Sequence, residues 1–128
     1  MIDRGKSEPS CSLEDHSGHD LPVLRPEALE KAAGVFRALG DTPRLRLLAL
    51  LAQGGACVTE LAEAEKENIS TISQRLKVLH HENLVRRTRK GKHIHYALAD
   101  QHVVELLFNA MAHVTEQPIA ATASKETL

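Results

Sequence analysis

Aromatic residues are scarce in this chain, which has one tyrosine, two phenylalanines and no tryptophan among its 128 residues. Its hydrophobic core must therefore be aliphatic, and so small a core gains stability from further burial between two copies. The chain also has only two cysteines, Cys11 and Cys57, which excludes a disulfide framework. In a reducing compartment we expect them to be free thiols or metal ligands.

Long apolar runs are absent as well. No stretch reaches the length of a membrane span and no signal peptide opens the sequence, so we expect a cytoplasmic protein without a membrane partner. The length suits one domain, which we place at residues 26–116. A flexible N-terminal arm at residues 1–25 precedes it, and a C-terminal tail at residues 117–128 follows where Pro118 is expected to end the last helix.

Basic residues are unevenly distributed along a chain whose net charge is only −1. Between Asn68 and Leu98 the only acid is Glu82, whereas seven residues are basic. One basic patch on an otherwise neutral protein indicates a possible DNA-binding surface. The seven are Arg75, Lys77, Arg86, Arg87, Arg89, Lys90 and Lys92.

Turn and capping signals divide the domain into five helices and a hairpin. Asp41 is expected to cap the second helix, Asn68 to break or cap the third, and the hairpin to turn around Lys90 and Gly91. The predicted helices are 26–39, 44–52, 59–65, 69–81 and 100–116, and the predicted strands are 84–88 and 93–98. A helix, a turn, a second helix and a basic hairpin follow each other in this order in a winged helix-turn-helix. The fold class is therefore mainly α with a small β-hairpin.

The predicted helix 69–81 has one apolar and one polar face. Ile69, Ile72, Leu76 and Leu79 are expected to face the core. The polar face suits base edges and phosphates, and the basic hairpin is a wing for the DNA backbone or a minor groove, unless it is an ordinary solvated hairpin. The predicted DNA-binding residues are Ser70, Thr71, Ser73, Gln74, Arg75 and Lys77 on the helix and Arg86, Arg87, Arg89, Lys90 and Lys92 on the hairpin.

Four potential metal ligands lie on the predicted last helix. His102 and His113 are eleven residues apart, three turns plus about 20°, and Glu116 follows on the same stripe. Along the axis the two histidines are about 16 Å apart, too far for one ion because metal–nitrogen bonds are about 2 Å. If two copies of the helix pack antiparallel, Asp100 and His102 of one meet His113 and Glu116 of the other. The spacing therefore predicts a homodimer with two symmetric metal sites.

A plainer interpretation of this helix is a solvated face on which Asp100 is only the N-cap. As a metal site, two imidazoles and two carboxylates in four-coordinate geometry suit Zn²⁺, with Co²⁺, Cd²⁺ or another divalent metal as further possibilities. Catalytic zinc sites usually keep three protein ligands and an open position. Four ligands on a dimer helix thus argue against an enzyme and against a small organic substrate.

With these features the chain resembles the zinc-sensing branch of the ArsR/SmtB family of winged-helix repressors, from about Pro26 to Glu116. The resemblance rests on LGDTPRLRLL at 39–48, VTELA at 58–62, ISTISQRLKVL at 69–79, LVRR at 84–87, GKHIHYAL at 91–98 and the motif of Asp100, His102, His113 and Glu116. It implies that these four residues bind zinc between subunits. It also implies that the apo dimer binds palindromic double-stranded operator DNA and that the metal-bound form releases it. A bond from His113 to a backbone carbonyl near Asn83 is the coupling route that the resemblance suggests.

The family has a second metal site near its third helix. Here the matching residues are Cys57 and Glu60, with Cys11, His16 and His19 on the arm. Position 59 is Thr, which departs from the Cys-x-Cys pattern of cadmium and lead sensors and weakens a thiolate-rich site. Cys57 is otherwise a small buried residue, or, with Cys11, the switch of a thiol-redox or soft-metal (cadmium, lead or copper) repressor. We expect His80, His81, His93 and His95 to be structural or DNA-facing.

Overall fold

The computed structural model describes residues 25–126, with side chains described through Glu116, and the predictions on Cys11, His16 and His19 lie outside that range. The elements are α1 (Pro26–Leu39), α2 (Thr42–Ala52), β1 (Ala56–Cys57), α3 (Val58–Glu65), α4 (Ile69–His81), β2 (Val85–Lys90), β3 (His93–Leu98) and α5 (Gln101–Glu126). The chain divides within α1 into a unit ending at Ala32 and a unit beginning at Ala33. The predicted mainly helical fold is confirmed.

Local capping residues determine where two of the helices begin. The Asp41 carboxylate accepts the backbone N–H of Arg44 at 3.1 Å, and Pro43 lies in the first turn of α2. The Asn68 side chain accepts the N–H of Thr71 at 2.8 Å and caps α4. Such caps satisfy backbone donors that lack a partner inside the helix. The predicted bounds of α4 are confirmed.

The end of α4 is closed by a left-handed residue. Asn83 has φ of +59°, and its N–H donates to the carbonyl of His80 at 2.9 Å. The N–H of Leu84 donates to the carbonyl of Leu79 at 2.9 Å. This pair of bonds is the Schellman arrangement, in which asparagine is one of the residues that tolerate the left-handed position. The chain leaves α4 in a defined direction and enters β2 directly.

A three-stranded antiparallel sheet in the order β1-β3-β2 replaces the predicted two-stranded hairpin. Val85 pairs with Leu98 and Lys90 with His93, and Gly91 (φ +64°) lies in the turn. The predicted first strand is thus shifted by one to two residues. The extra strand β1 has only two residues, which is too short to show the alternation that identifies a strand.

The core is aliphatic, as predicted. On α4, Ile72, Leu76 and Leu79 are fully buried, but Ile69 is 52% exposed, so its predicted core position is wrong. Ile69 is the first residue of α4, and helical side chains tilt toward the N-terminus, so its side chain extends past the packed turns. The buried residues around α4 come from α2, α3, the turn before β2, the sheet and α5: Leu47, Leu48, Leu51, Leu61, Leu84, Val85, Tyr96, Leu98, Val103 and Leu107.

The last helix is longer than predicted. It continues through position 118 to Glu126, so the expectation that Pro118 ends it is wrong. A proline lacks the N–H that would bond the carbonyl four residues earlier, but a proline inside a helix can kink it without ending it. The domain boundary between residues 116 and 117, where the C-terminal tail was expected to begin, stays a prediction. No helix within residues 25–126 has the length and apolarity needed to cross a membrane.

Candidate functional site

The solvent-facing side of α4 carries most of the predicted DNA contacts. Ser70, Ser73, Gln74 and Lys77 are exposed, and their spacing puts them on one stripe opposite the buried residues. Small hydroxyl and amide groups beside a lysine can reach both base edges and phosphates. Thr71 is half-buried in the first turn. These residues are thus accessible, and their role as DNA contacts stays a prediction.

Arg75 differs from the other predicted DNA contacts. Its guanidinium lies 3.5 Å from the carboxylate of Glu67, and its side chain is only 21% exposed. Glu67 directly precedes the capping residue Asn68 and approaches Arg75 from the N-terminal side of α4. An arginine paired in this way has part of its charge neutralised before any DNA arrives. The sequence pattern did not reveal this pairing, because the two residues lie on different elements.

The strand β2 distributes its arginines over two faces of the wing. Residues directly paired across antiparallel strands share a face, so Arg87 lies beside Tyr96 and Arg89 beside Ile94. Arg86 and Lys90 project from the opposite face, since side chains alternate along a strand. The five predicted wing residues, Arg86, Arg87, Arg89, Lys90 and Lys92, are all exposed.

Asp100 and His102 form an exposed pair at the start of α5. The Asp100 Oδ1 accepts the N–H of Val103 at 3.0 Å, so Asp100 is indeed the N-cap of the helix. The same oxygen lies 3.8 Å from Nδ1 of His102, whose side chain is 93% exposed. The N-cap hydrogen bond uses only Oδ1, which leaves Oδ2 of Asp100 available as a metal ligand. A cap and a metal ligand are therefore compatible roles for this carboxylate.

His113 and Glu116 are also exposed, farther along α5. Among the side chains of residues 25–116, no three histidine, cysteine, aspartate or glutamate groups of one chain converge on a point that would hold a metal ion. A complete site on α5 thus requires ligands from two chains, as the helical spacing predicts. The assignment of these four residues as ligands stays a prediction.

Cys57 and Glu60 have a structural relationship that sequence reasoning missed. The N–H of Cys57 donates to Oε1 of Glu60 at 2.9 Å, which secures the first turn of α3. The pKa of Glu60 lies below its ordinary value, chiefly because its carboxylate accepts this N–H. The Cys57 thiol is the next largest cause, and nearby His95 and His93 act in the same direction. His95 is paired directly with Cys57 across β1 and β3. Cys57 is half-buried and free. A thiol, a carboxylate and an imidazole thus occupy neighbouring positions at this sheet edge, but within residues 25–116 of one chain they do not form a group that would hold a metal ion.

Backbone bonds connect the end of α4 with the start of α5. The N–H of Ala99 donates to the carbonyl of Leu84 at 3.0 Å, and the guanidinium of Arg86 donates to the carbonyl of Ala99 at 2.8 Å. Ala99 immediately precedes Asp100. Asp100, the first predicted metal ligand, therefore adjoins a residue that is bonded to Leu84, two residues after the C-cap of α4.

Comparisons with known proteins identify the family to which the chain belongs. Residues 41–87 match the family described as bacterial regulatory protein, arsR family. The chain is 35% identical to a transcriptional repressor SmtB homolog of Synechocystis over 85% of this chain and 83% of that protein. It is 32% identical to a cadmium resistance transcriptional regulatory protein CadC homolog of Staphylococcus aureus, over 66% of this chain and 70% of that one.

A solved structure has the same fold. The homodimeric winged helix-turn-helix DNA-binding domain of a possible ArsR-family transcriptional regulator from Mycobacterium bovis superposes with a TM-score of 0.63 at 34% identity. The match covers 70% of this chain and 82% of that one. These relatives are transcriptional regulators, in agreement with the prediction that the chain is not an enzyme. The chain belongs to the arsR family of bacterial regulatory proteins and has its winged helix-turn-helix fold.

Proposed function

We propose that the protein is a cytoplasmic metal-responsive repressor that binds a palindromic operator as a metal-free homodimer and releases it when Zn²⁺ or a similar divalent metal binds. The observation that carries this proposal is the exposed donor pair of Asp100 and His102, joined through Ala99 and Leu84 to the end of α4. The relative named for cadmium resistance supports a metal as the signal.

The homodimer is supported by the apolar surface of α5. Three large apolar side chains of this helix are exposed to solvent: Phe108 (67%), Met111 (49%) and Val114 (51%). An exposed apolar surface of this kind is typical of an interaction site. Packing this helix against a second copy would bury that surface. A two-fold dimer matches a palindromic operator, because each recognition helix then meets an equivalent half-site in a successive major groove.

The donor set fits a divalent metal of the zinc type. Asp100 and His102 of one protomer with His113 and Glu116 of the other would supply two carboxylates and two imidazoles, and the same set would occur twice in the dimer. When bound, the metal links the α5 helices of the two protomers. The His102 side chain is 93% exposed, so metal binding would not break any buried contact of this residue.

Coupling to DNA follows from the backbone bonds at the α5 junction. A shift of the first turn of α5 displaces Ala99, whose N–H bonds the carbonyl of Leu84 two residues after the C-cap of α4. The proposed bond from His113 to a carbonyl near Asn83 would act on the same corner. Coupling of this kind usually amounts to about 1–3 kcal/mol, and DNA weakens metal binding by the same factor.

The test is operator binding by fluorescence anisotropy at fixed salt during a zinc titration. The wild-type protein is compared with His102→Ala/His113→Ala and with His93→Ala, an exposed histidine of the wing, as the matched control. We expect zinc to release DNA from the wild type and from His93→Ala, while the double variant keeps its DNA. Release from all three would move the sensor away from α5, and binding indifferent to zinc in the wild type would refute a zinc response.

A second candidate uses Cys57 as the sensor of a soft metal or of thiol oxidation. Its support is the free thiol of Cys57 next to Glu60 and His95 at the start of α3. The discriminating variant is Cys57→Ala. If it abolishes the response to cadmium or to an oxidant while His102→Ala/His113→Ala does not, this candidate replaces the first.

A further inference from the structure

A polar cleft of about 440 Å³ opens between α4 and the β2–β3 hairpin. Lys77 and His80 line one wall from α4, and Arg87 and Tyr96 line the other from the sheet. The remaining lining residues are Ser70, Ser73 and Gln74, so no carboxylate lines the cleft. Such a surface has hydrogen-bond donors and positive charge without an internal anion to neutralise them.

For His80, another member of this cleft, the sequence left a structural and a DNA-facing role open. It follows Lys77 by three residues and continues the exposed stripe of α4 toward its C-terminus. Its side of the helix faces Arg87, because Arg87 shares a face of the sheet with Tyr96, which also lines the cleft. The next histidine, His81, lies instead 3.8 Å from Glu82 and does not line the cleft.

The position of the cleft indicates its ligand. A recognition helix enters the major groove of DNA, and a wing lies on the backbone or in the adjacent minor groove. Between these two grooves runs one ridge of sugar and phosphate groups. If α4 lies in one groove and the hairpin lies in or over the other, the ridge must pass between these two elements. The space between them is this cleft.

We propose that the cleft seats a phosphodiester ridge of the operator, with protonated His80 as a third cation beside Lys77 and Arg87. The inference rests on operator binding, not on the metal response. Histidine can change its charge between pH 5 and 8. In the cleft His80 faces the cations Lys77 and Arg87 and the phenol of Tyr96, and a phosphate bound there would favour the protonated imidazole. Binding therefore takes up a proton, and operator affinity increases as the pH falls.

The experiment measures operator dissociation constants in the presence of a metal chelator, at pH 6 and pH 8 and at several salt concentrations. The variants are His80→Ala, His80→Arg and, as the matched control, His81→Ala. Each phosphate contact adds about 0.9 to the slope of log K against log salt. For the wild type and His81→Ala we expect a steeper slope and several-fold tighter binding at pH 6. His80→Ala should lose both differences, and His80→Arg should keep the steep slope at both pH values.

Binding to an unrelated duplex separates a phosphate contact from a base contact. A phosphate contact predicts that His80→Ala weakens operator and unrelated DNA by the same factor, and thermal unfolding verifies that the variant is folded. Loss confined to the operator, or an unchanged pH dependence in His80→Ala, would overturn the assignment of the cleft. Failure of the wild type to bind any operator would overturn the proposed function as well, so the two failures are distinguishable.

Discussion

The guanidinium of Arg86, a residue of the wing, donates a hydrogen bond to the backbone carbonyl of Ala99, the residue before Asp100. The donor and acceptor are 2.8 Å apart, and the same Ala99 bonds the carbonyl of Leu84 through its N–H. The sequence alone predicted Arg86 to be a DNA contact. In the folded protein it also braces the junction between the sheet and the helix that carries the proposed metal ligands.

Arg86→Ala should therefore weaken the zinc response more than it weakens metal-free DNA binding. We expect the coupling between metal and DNA to fall by about 1 kcal/mol, because a charge-assisted hydrogen bond at the junction is lost. Lys90→Ala, on the same face of β2, is the matched control. The measurement is the ratio of operator dissociation constants with and without zinc. A large loss of metal-free affinity with an unchanged ratio would show that Arg86 is only a DNA contact.

Substitutions of Asp100 should separate its cap from its proposed ligand role. Asp100→Asn keeps an N-cap acceptor, so thermal stability without metal should change little, while zinc affinity measured by chelator competition should fall. Asp100→Ala should lower both the thermal stability and the zinc affinity, and loss of the N-cap should reduce the free energy of unfolding by about 0.5–2 kcal/mol. Equal zinc affinity in the wild type and Asp100→Asn would remove this carboxylate from the ligand set.

Two positions on α4 should respond differently to truncation. Leu76 is fully buried and Ile69 is 52% exposed. We expect Leu76→Ala to lower the free energy of unfolding by about 2–5 kcal/mol, because it removes buried apolar surface and leaves a cavity. Ile69→Ala should cost less than about 1 kcal/mol. Urea denaturation measures both, and similar losses at the two positions would contradict the exposure of Ile69.

The lowered pKa of Glu60 predicts how the stability of α3 depends on pH. Because its pKa in the folded protein lies below the ordinary value, the ionised carboxylate stabilises the fold at neutral pH. This stabilisation is present above the unfolded pKa of about 4.3 and is lost as the pH falls through the lower folded value. The stability difference between the wild type and Glu60→Gln should thus shrink below about pH 4. A stability difference that stays unchanged at acidic pH would contradict the stabilising role of the Glu60 carboxylate.

Local signals predicted the elements well where a short stretch of chain contains the cause. The Asp41 cap, the bounds of α4 and the turn at Gly91 depend on neighbouring residues, and the structure confirms them. Asn68, expected to end the third helix, instead caps the start of α4. The prediction failed where the cause lies elsewhere. The strand β1 exists because Ala56 and Cys57 pair with β3, and nothing within these two residues indicates it.

The sequence by itself determined the fold class, the family and the shared stripe of His102 and His113, because helical periodicity and capping act over a few residues. Only the tertiary structure decided that Glu67 pairs with Arg75, that Arg86 bonds Ala99, and that His80 faces the wing across a cleft. These relationships join side chains on different elements. Their distances depend on how the core packs and how the strands pair, which a pattern along one element does not contain.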